Sequence, residues 1–173
     1  MNTCRAAPTE ERSLPMNDPT SERHAAAQEL HRLSLACIET MRQCADAQAI
    51  AAAGDDARFA LGIEMRSTAP TLLLMAKPEG ELLPREVSRL GMAEFSADQT
   101  TLVRVAAAIA NLLLQDAAPQ TRQEVFRLVR SGAGFLSLYV RPAPFEAALE
   151  LHAGSDLMEL GRIADQPVGT TLQ

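Results

Sequence analysis

The spacing of apolar residues changes near residue 58, and this change limits the fold more than any other feature of the chain. Before it, apolar residues recur at intervals of three and four, as on one face of a helix: Leu30, Leu33, Cys37, Met41, Cys44, Ala47 and Ala51. From Arg58 to Arg66 apolar residues occupy every second position, which is typical of a half-buried strand. The sequence therefore predicts an α+β fold that begins with a long N-terminal helix, from Asp18 to Gly54.

Antiparallel strands and a central group of helices are expected next. Residues 71–76 predict a second strand that forms a hairpin with the first, and Leu82-Leu83 predict a short third strand. Pro84 is expected to start a short helix that carries Val87 and Leu90.

Two capping boxes predict the helices that follow. Ser96 with Gln99 would open a helix that runs to about residue 115. This helix is apolar almost all round, so we expect it to be the most buried one. Thr121 with Glu124 would open a further helix in the same way.

The C-terminal third of the chain predicts more strands, with one alternative left open. Residues 135–141 form an apolar run, and residues 145–152 alternate apolar and polar side chains, which favours two strands. The second of these segments also has good helix propensity, so a short helix capped by Gly154 competes with the strand. Residues 157–163 would extend the meander.

A chain of 173 residues has material for one ordinary core. We expect residues 18–164 to form a single α+β domain. Residues 1–17 hold prolines among polar residues without periodicity and predict a disordered tail, in which Met16 is an alternative start to Met1. Residues 165–173 predict a frayed C terminus.

The charge of the chain disfavours two classes of partner. A net charge of −6 with a pI of about 5.1 repels phosphate backbones and anionic lipid headgroups. Aromatic residues make up only 3%, which removes the stacking surfaces that single-strand binders use. The longest apolar stretch, residues 102–114, is too short to span a bilayer. The chain has three cysteines, an odd number that favours reduced thiols over a disulfide framework. We therefore expect a cytoplasmic protein that binds neither nucleic acid nor membranes.

Histidines and cysteines on the N-terminal helix resemble a metal site until their spacing is considered. His24 and His31, like Cys37 and Cys44, are seven residues apart. Seven residues of helix span about 10.5 Å, too far for either pair to share one ion. We expect core cysteines and surface histidines, and neither a metal nor another cofactor.

No catalytic motif of the Gly-x-Ser-x-Gly, His-Glu-x-x-His or Cys-x-x-Cys type occurs. The glycine-rich segment 131–134 runs from helix to strand, whereas phosphate-binding loops run from strand to helix, so it is interpreted as a helix stop. Glu146, Glu150 and His152 would share one face of a strand, with Glu150 and His152 about 7 Å apart at Cα. They are candidates for a pocket, although a solvated strand face has the same pattern.

Two sets of residues are candidates for a partner surface. The apolar seam of the N-terminal helix is wider than one contact needs, which predicts a homodimer through this helix and a surface that includes Leu30, Leu33, Leu35, Cys37 and Ile38. The second set is a polar stripe on the central apolar helix, formed by Arg104, Asn111 and Gln115. A buried arginine needs a partner, so this stripe could anchor a carboxylate or a backbone.

Two hypotheses for the function follow. The lack of a catalytic motif favours a small acidic protein-binding factor, such as a chaperone, adaptor, regulator or antagonist of another protein, that acts without catalysis. The alternative is a small enzyme or ligand-binding domain with a pocket between the sheet and the central helix, using Arg104, Glu150 or His152.

In size, acidity and its initial helix and hairpin, the chain resembles type III secretion chaperones in a general way, and residues 72–83 are similar to their strand segment. This resemblance implies a protein-binding function. Three successive predicted central helices and the lack of a C-terminal helix depart from the pattern of that family, and membership is not inferred.

Overall fold

A computed structural model describes residues 19–165. Its helices are α1 (Pro19–Cys44), α2 (Ala47–Ala53), α3 (Ala97–Asp116) and α4 (Pro119–Ser131), with a 3-10 turn at Met92–Glu94. Its strands are β1 (Arg58–Met65), β2 (Pro70–Lys77), β3 (Arg85–Gly91), β4 (Gly134–Pro142), β5 (Phe145–Ala153) and β6 (Asp156–Ala164). The tails predicted at residues 1–17 and 165–173 lie outside the described residues, apart from residue 165.

All six strands form one antiparallel sheet in the order β3-β2-β1-β4-β5-β6. β1 and β4 pair at its centre, where Gly62 lies opposite Tyr139. Each of them continues outward as a meander of three strands. The predicted α+β class and the antiparallel meanders are confirmed.

The helices α1 and α3 contact each other and pack on one face of the sheet. Most strand positions on that face carry Leu or Ile, such as Leu61, Ile63 and Leu138, none of which is exposed. Leu30 from α1 and Leu102 from α3 complete the same cluster. Burial of this apolar surface is the main force that stabilises the fold.

The N-terminal helix is divided where the sequence predicts one continuous helix to Gly54. α1 ends at Cys44, and the side chain of Asp46 then accepts hydrogen bonds from the backbone N–H groups of Gln48 and Ala49, at 2.7 and 3.1 Å. Asp46 is therefore the N-cap of a second helix, α2.

The segment after β2 is a strand rather than the predicted short helix, and Leu82-Leu83 form no strand. Val87 and Leu90 both pack against the core, although residues three apart in a regular strand point to opposite faces. A bulge explains this geometry, because Leu74 pairs with Ser88 whereas Met75 pairs with Glu86. Val87 is the extra residue in β3. The bulge therefore places the core-facing residues Val87 and Leu90 three positions apart, a spacing typical of a helix.

The other predicted boundaries have mixed outcomes. The Ser96 capping box is present, since Gln99 N–H donates to Ser96 Oγ and Ser96 N–H donates to Gln99 Oε1. The predicted capping box at Thr121 is wrong: α4 starts at Pro119, whose fixed φ suits a first helical position. Residues 145–153 are a strand, which settles the alternative of a short helix.

Ser34 on α1 is fully buried, and its hydroxyl has no hydrogen-bond partner within residues 19–165. A buried polar group without a partner keeps its desolvation cost. We expect Ser34→Ala to raise the free energy of unfolding by about 1 kcal/mol in urea denaturation. Thr40→Ala on the same helix is the control, because the exposed Thr40 hydroxyl already donates to Ala36 O. A loss of stability with Ser34→Ala would show that the hydroxyl is satisfied.

Candidate functional site

Four of the five residues proposed for a partner surface on α1 are part of the chain's own core. Leu30, Leu33, Cys37 and Ile38 are buried against the sheet and α3. They are not accessible to a partner in this fold. Only Leu35, 49% exposed, lies outward, so the predicted homodimer through this helix depends on Leu35 and its exposed neighbours.

The polar stripe of α3 faces outward. Arg104, Asn111 and Gln115 are exposed, and among the described residues Arg104 donates only to the hydroxyl of Thr101 on the same helix. Glu150 and His152, in contrast, line a concavity on the opposite face of the sheet. The predicted pocket between sheet and central helix is therefore misplaced, because packed core side chains fill that space and Arg104 does not converge with the other two residues.

The concavity covers the face of the sheet that lies away from α1 and α3, which we call the open face. It has a volume of about 1240 Å³. Small and apolar side chains from four neighbouring strands form its floor: Leu73, Met75, Ala60, Gly62, Tyr139 and Ala148. A Cβ on Gly62 would lie 3.2 Å from the Cβ of Leu73, so this glycine allows the close packing of the floor.

Two glutamates on the open face are held by arginines. Glu64 on β1 accepts from Arg66 at 3.1 Å and lies 3.7 Å from Arg89 of β3. Glu146 on β5 forms ion pairs with Arg141 of β4 and Arg162 of β6. The first cluster reaches from β1 across β2 to β3, the second joins β5 to both of its neighbours, and together they compensate the charge of both carboxylates.

A third polar cluster on the open face contains Glu150 and His152, the pair predicted from strand alternation. Glu150 Oε2 lies 3.5 Å from His152 Nε2. The His152 ring stacks on Phe135 at 4.6 Å, and the Arg66 guanidinium lies 4.1 Å from the centre of the Phe135 ring. Burial raises the pKa of the nearby Tyr139, and the charge of Glu150 adds to this effect. The tyrosine is therefore a neutral hydrogen-bonding group at neutral pH.

The described residues offer little for nucleophilic or metal chemistry. Burial raises the pKa of the Cys37 thiol to about 11, so this cysteine stays protonated and inert. Within residues 19–165, no three His, Cys, Asp or Glu side chains are grouped to hold a metal ion. His31 packs beside Phe145, with ring centres 5.2 Å apart, while His24 and Cys44 are exposed.

The glycine-rich segment 131–134 is a helix stop, as interpreted from the sequence. Gly132 caps α4 in the left-handed conformation, at φ 73°. Gly134 then starts β4, where a Cβ would meet the backbone oxygen of His152 at 2.8 Å. Both glycines thus have structural roles.

The floor of the open face was missed at the sequence level. Its residues are the alternate positions of β1, β2, β4 and β5, and the alternation alone does not tell whether a helix covers that face. Small residues at several of these positions, Ala60, Gly62 and Ala148, were the available signal.

Comparisons of the chain with protein-family models, with curated proteins and with solved structures find no match. Among the helices of residues 19–165, none has the length and apolar character needed to cross a bilayer.

Proposed function

We propose that this protein is a protein-binding factor, of the chaperone, adaptor, regulator or antagonist type, that holds a polypeptide segment of its partner in the open face and acts without catalysis. The observation that supports this most is a six-stranded sheet whose helices, within residues 19–165, cover only one face, while the other has an apolar floor of Leu73, Met75 and Tyr139. An apolar concavity of this kind marks an interaction site in a small protein.

The dimensions and charges of the open face favour a polypeptide as its occupant. Its volume of about 1240 Å³ exceeds the roughly 300 to 1,000 Å³ of most small-molecule pockets. Four basic residues line it, together with seven acidic ones: Arg58, Lys77, Arg141 and Arg162; Asp56, Glu64, Glu79, Glu81, Glu86, Glu146 and Glu150. Three further arginines, Arg66, Arg85 and Arg89, pair with carboxylates of this set, so the open face has no excess of positive charge that would attract nucleic acid. An apolar floor with a charged rim has the composition of a protein interface.

A peptide-binding experiment tests the proposal through Ala148, a buried residue at the centre of the floor. Peptides would be selected on the wild-type protein from a library of random linear sequences. We expect Ala148→Gln to lower the affinity for the selected peptides at least about tenfold in calorimetric titration, because the new side chain fills the concavity without changing its charge.

Ala108→Gln is the matched control, since Ala108 is exposed on α3, in the helical layer. It should leave the affinity within about twofold of wild type. A library that gives no specific peptide, or peptides that bind Ala148→Gln and wild type equally, would contradict the proposal. The denaturation midpoint of each variant shows that a loss of binding is not a loss of folding.

A further inference from the structure

Among the carboxylates of the open face that are buried or half-buried, that of Glu150 alone has no arginine partner within residues 19–165. The Glu150 side chain is 25% exposed, and within residues 19–165 its one polar partner is His152 Nε2, at 3.5 Å. Glu64 and Glu146, at 9% and 12% exposure, each contact two arginines. The half-buried Glu150 carboxylate is therefore free to accept hydrogen bonds from outside the chain.

We propose that Glu150 receives a basic side chain, a lysine or an arginine, of the segment bound in the open face. This inference rests on the proposed function and specifies the chemistry of the partner. A segment that covers the concavity would take Glu150 out of water, and a buried carboxylate without a partner is strongly unfavourable. The segment must therefore bring a donor, and a cation compensates the charge as well as the hydrogen bonds.

The neighbours of Glu150 fit a cation better than a neutral donor. Ser137 lies directly opposite Glu150 on β4 and adds a hydroxyl acceptor, whereas Glu159, opposite on β6, is already paired with Arg162 at 2.5 Å. The Tyr139 ring lies two residues along from Ser137 on the same face and can offer its π system to a cation. Within residues 19–165 His152 Nε2 makes no hydrogen bond, so the imidazole leaves the acceptor sites of Glu150 unoccupied.

The test combines one substitution in the protein with one in the peptide. Peptides selected on the wild-type protein are expected to share a Lys or Arg at one position. Glu150→Gln should lower the affinity for a selected peptide at least about tenfold. It should change the affinity less than about twofold when the shared Lys or Arg of that peptide is replaced by Gln. This coupling is the signature of direct contact between the two side chains.

Glu39→Gln is the control for net charge, because Glu39 is exposed on α1, in the helical layer, and is paired with Arg42 at 3.4 Å. It should change the affinity less than about twofold. Selected peptides without a shared basic position, or equal effects of Glu150→Gln and Glu39→Gln, would overturn the inference while the Ala148→Gln result still supports the proposed function. Failure of Ala148→Gln to weaken binding would overturn both.

Discussion

Leu30→Ala is expected to lower the free energy of unfolding by about 3 to 5 kcal/mol, the range for a large-to-small change at a fully buried leucine. The Leu30 side chain has no exposed surface and lies in the cluster between α1, α3 and the sheet. Its removal costs both the lost burial of the side chain and the cavity that remains. Urea denaturation followed by circular dichroism measures this loss.

Leu35→Ala makes the same chemical change on the same helix, at a side chain that is 49% exposed. Its effect should stay within about 0.5 kcal/mol, as for most surface substitutions. Similar losses in the free energy of unfolding for Leu30→Ala and Leu35→Ala would show that α1 is not packed on the sheet through its apolar seam. A fall in apparent mass with Leu35→Ala in light scattering would instead support the predicted homodimer through α1.

Gly134→Ala is expected to cost about 1 to 3 kcal/mol, as is usual for an overpacked position. The added Cβ would lie 2.8 Å from the backbone oxygen of His152 and 3.3 Å from the Cβ of Leu128. The His152 oxygen belongs to β5, which pairs with β4 from Gly134↔Ala153 onward. It cannot move away without disturbing the hydrogen bonds between the two strands.

Gly91→Ala is the matched control, because this glycine also lies at the end of a strand, at φ −82°, and its Cβ would meet nothing closer than Glu94 Oε2 at 3.9 Å. That change should be neutral or stabilising, by about 0.4 to 1 kcal/mol, because alanine restricts the unfolded chain. Equal stability of the two variants in thermal denaturation would mean that β4 and β5 are less closely packed at Gly134 than described.

Regular alternation made most of the sheet predictable. β1 and β5 show it clearly, and β6 lies within a residue of its predicted bounds. β3 could not be predicted in this way, because its bulge at Val87 replaces the period of two with a spacing of three. Residues 85–91 therefore have the local pattern of a helix, and only their pairing with β2 makes them a strand.

The candidate site was less predictable than the fold. The pair of Glu150 and His152 followed from alternation along one strand, since both residues had to share a face. The residues that share this face come from the adjacent β4 and also from β1 and β2, which are far away in the sequence, and strand order determines that neighbourhood. The apolar seam of α1 was recognised as a surface, but a helix pattern does not tell whether its apolar face meets the chain's own sheet or a partner.

Intermolecular NOEs between a selected peptide and the methyl groups of the isotope-labelled protein test the central claim most directly. If the open face binds the segment, NOEs will connect the peptide to the methyl groups of Ala60, Leu73, Met75 and Ala148, which line the concavity. NOEs confined to Leu35 of α1 or Ala108 of α3, both exposed in the helical layer, would contradict the account and place the partner on the opposite side of the molecule.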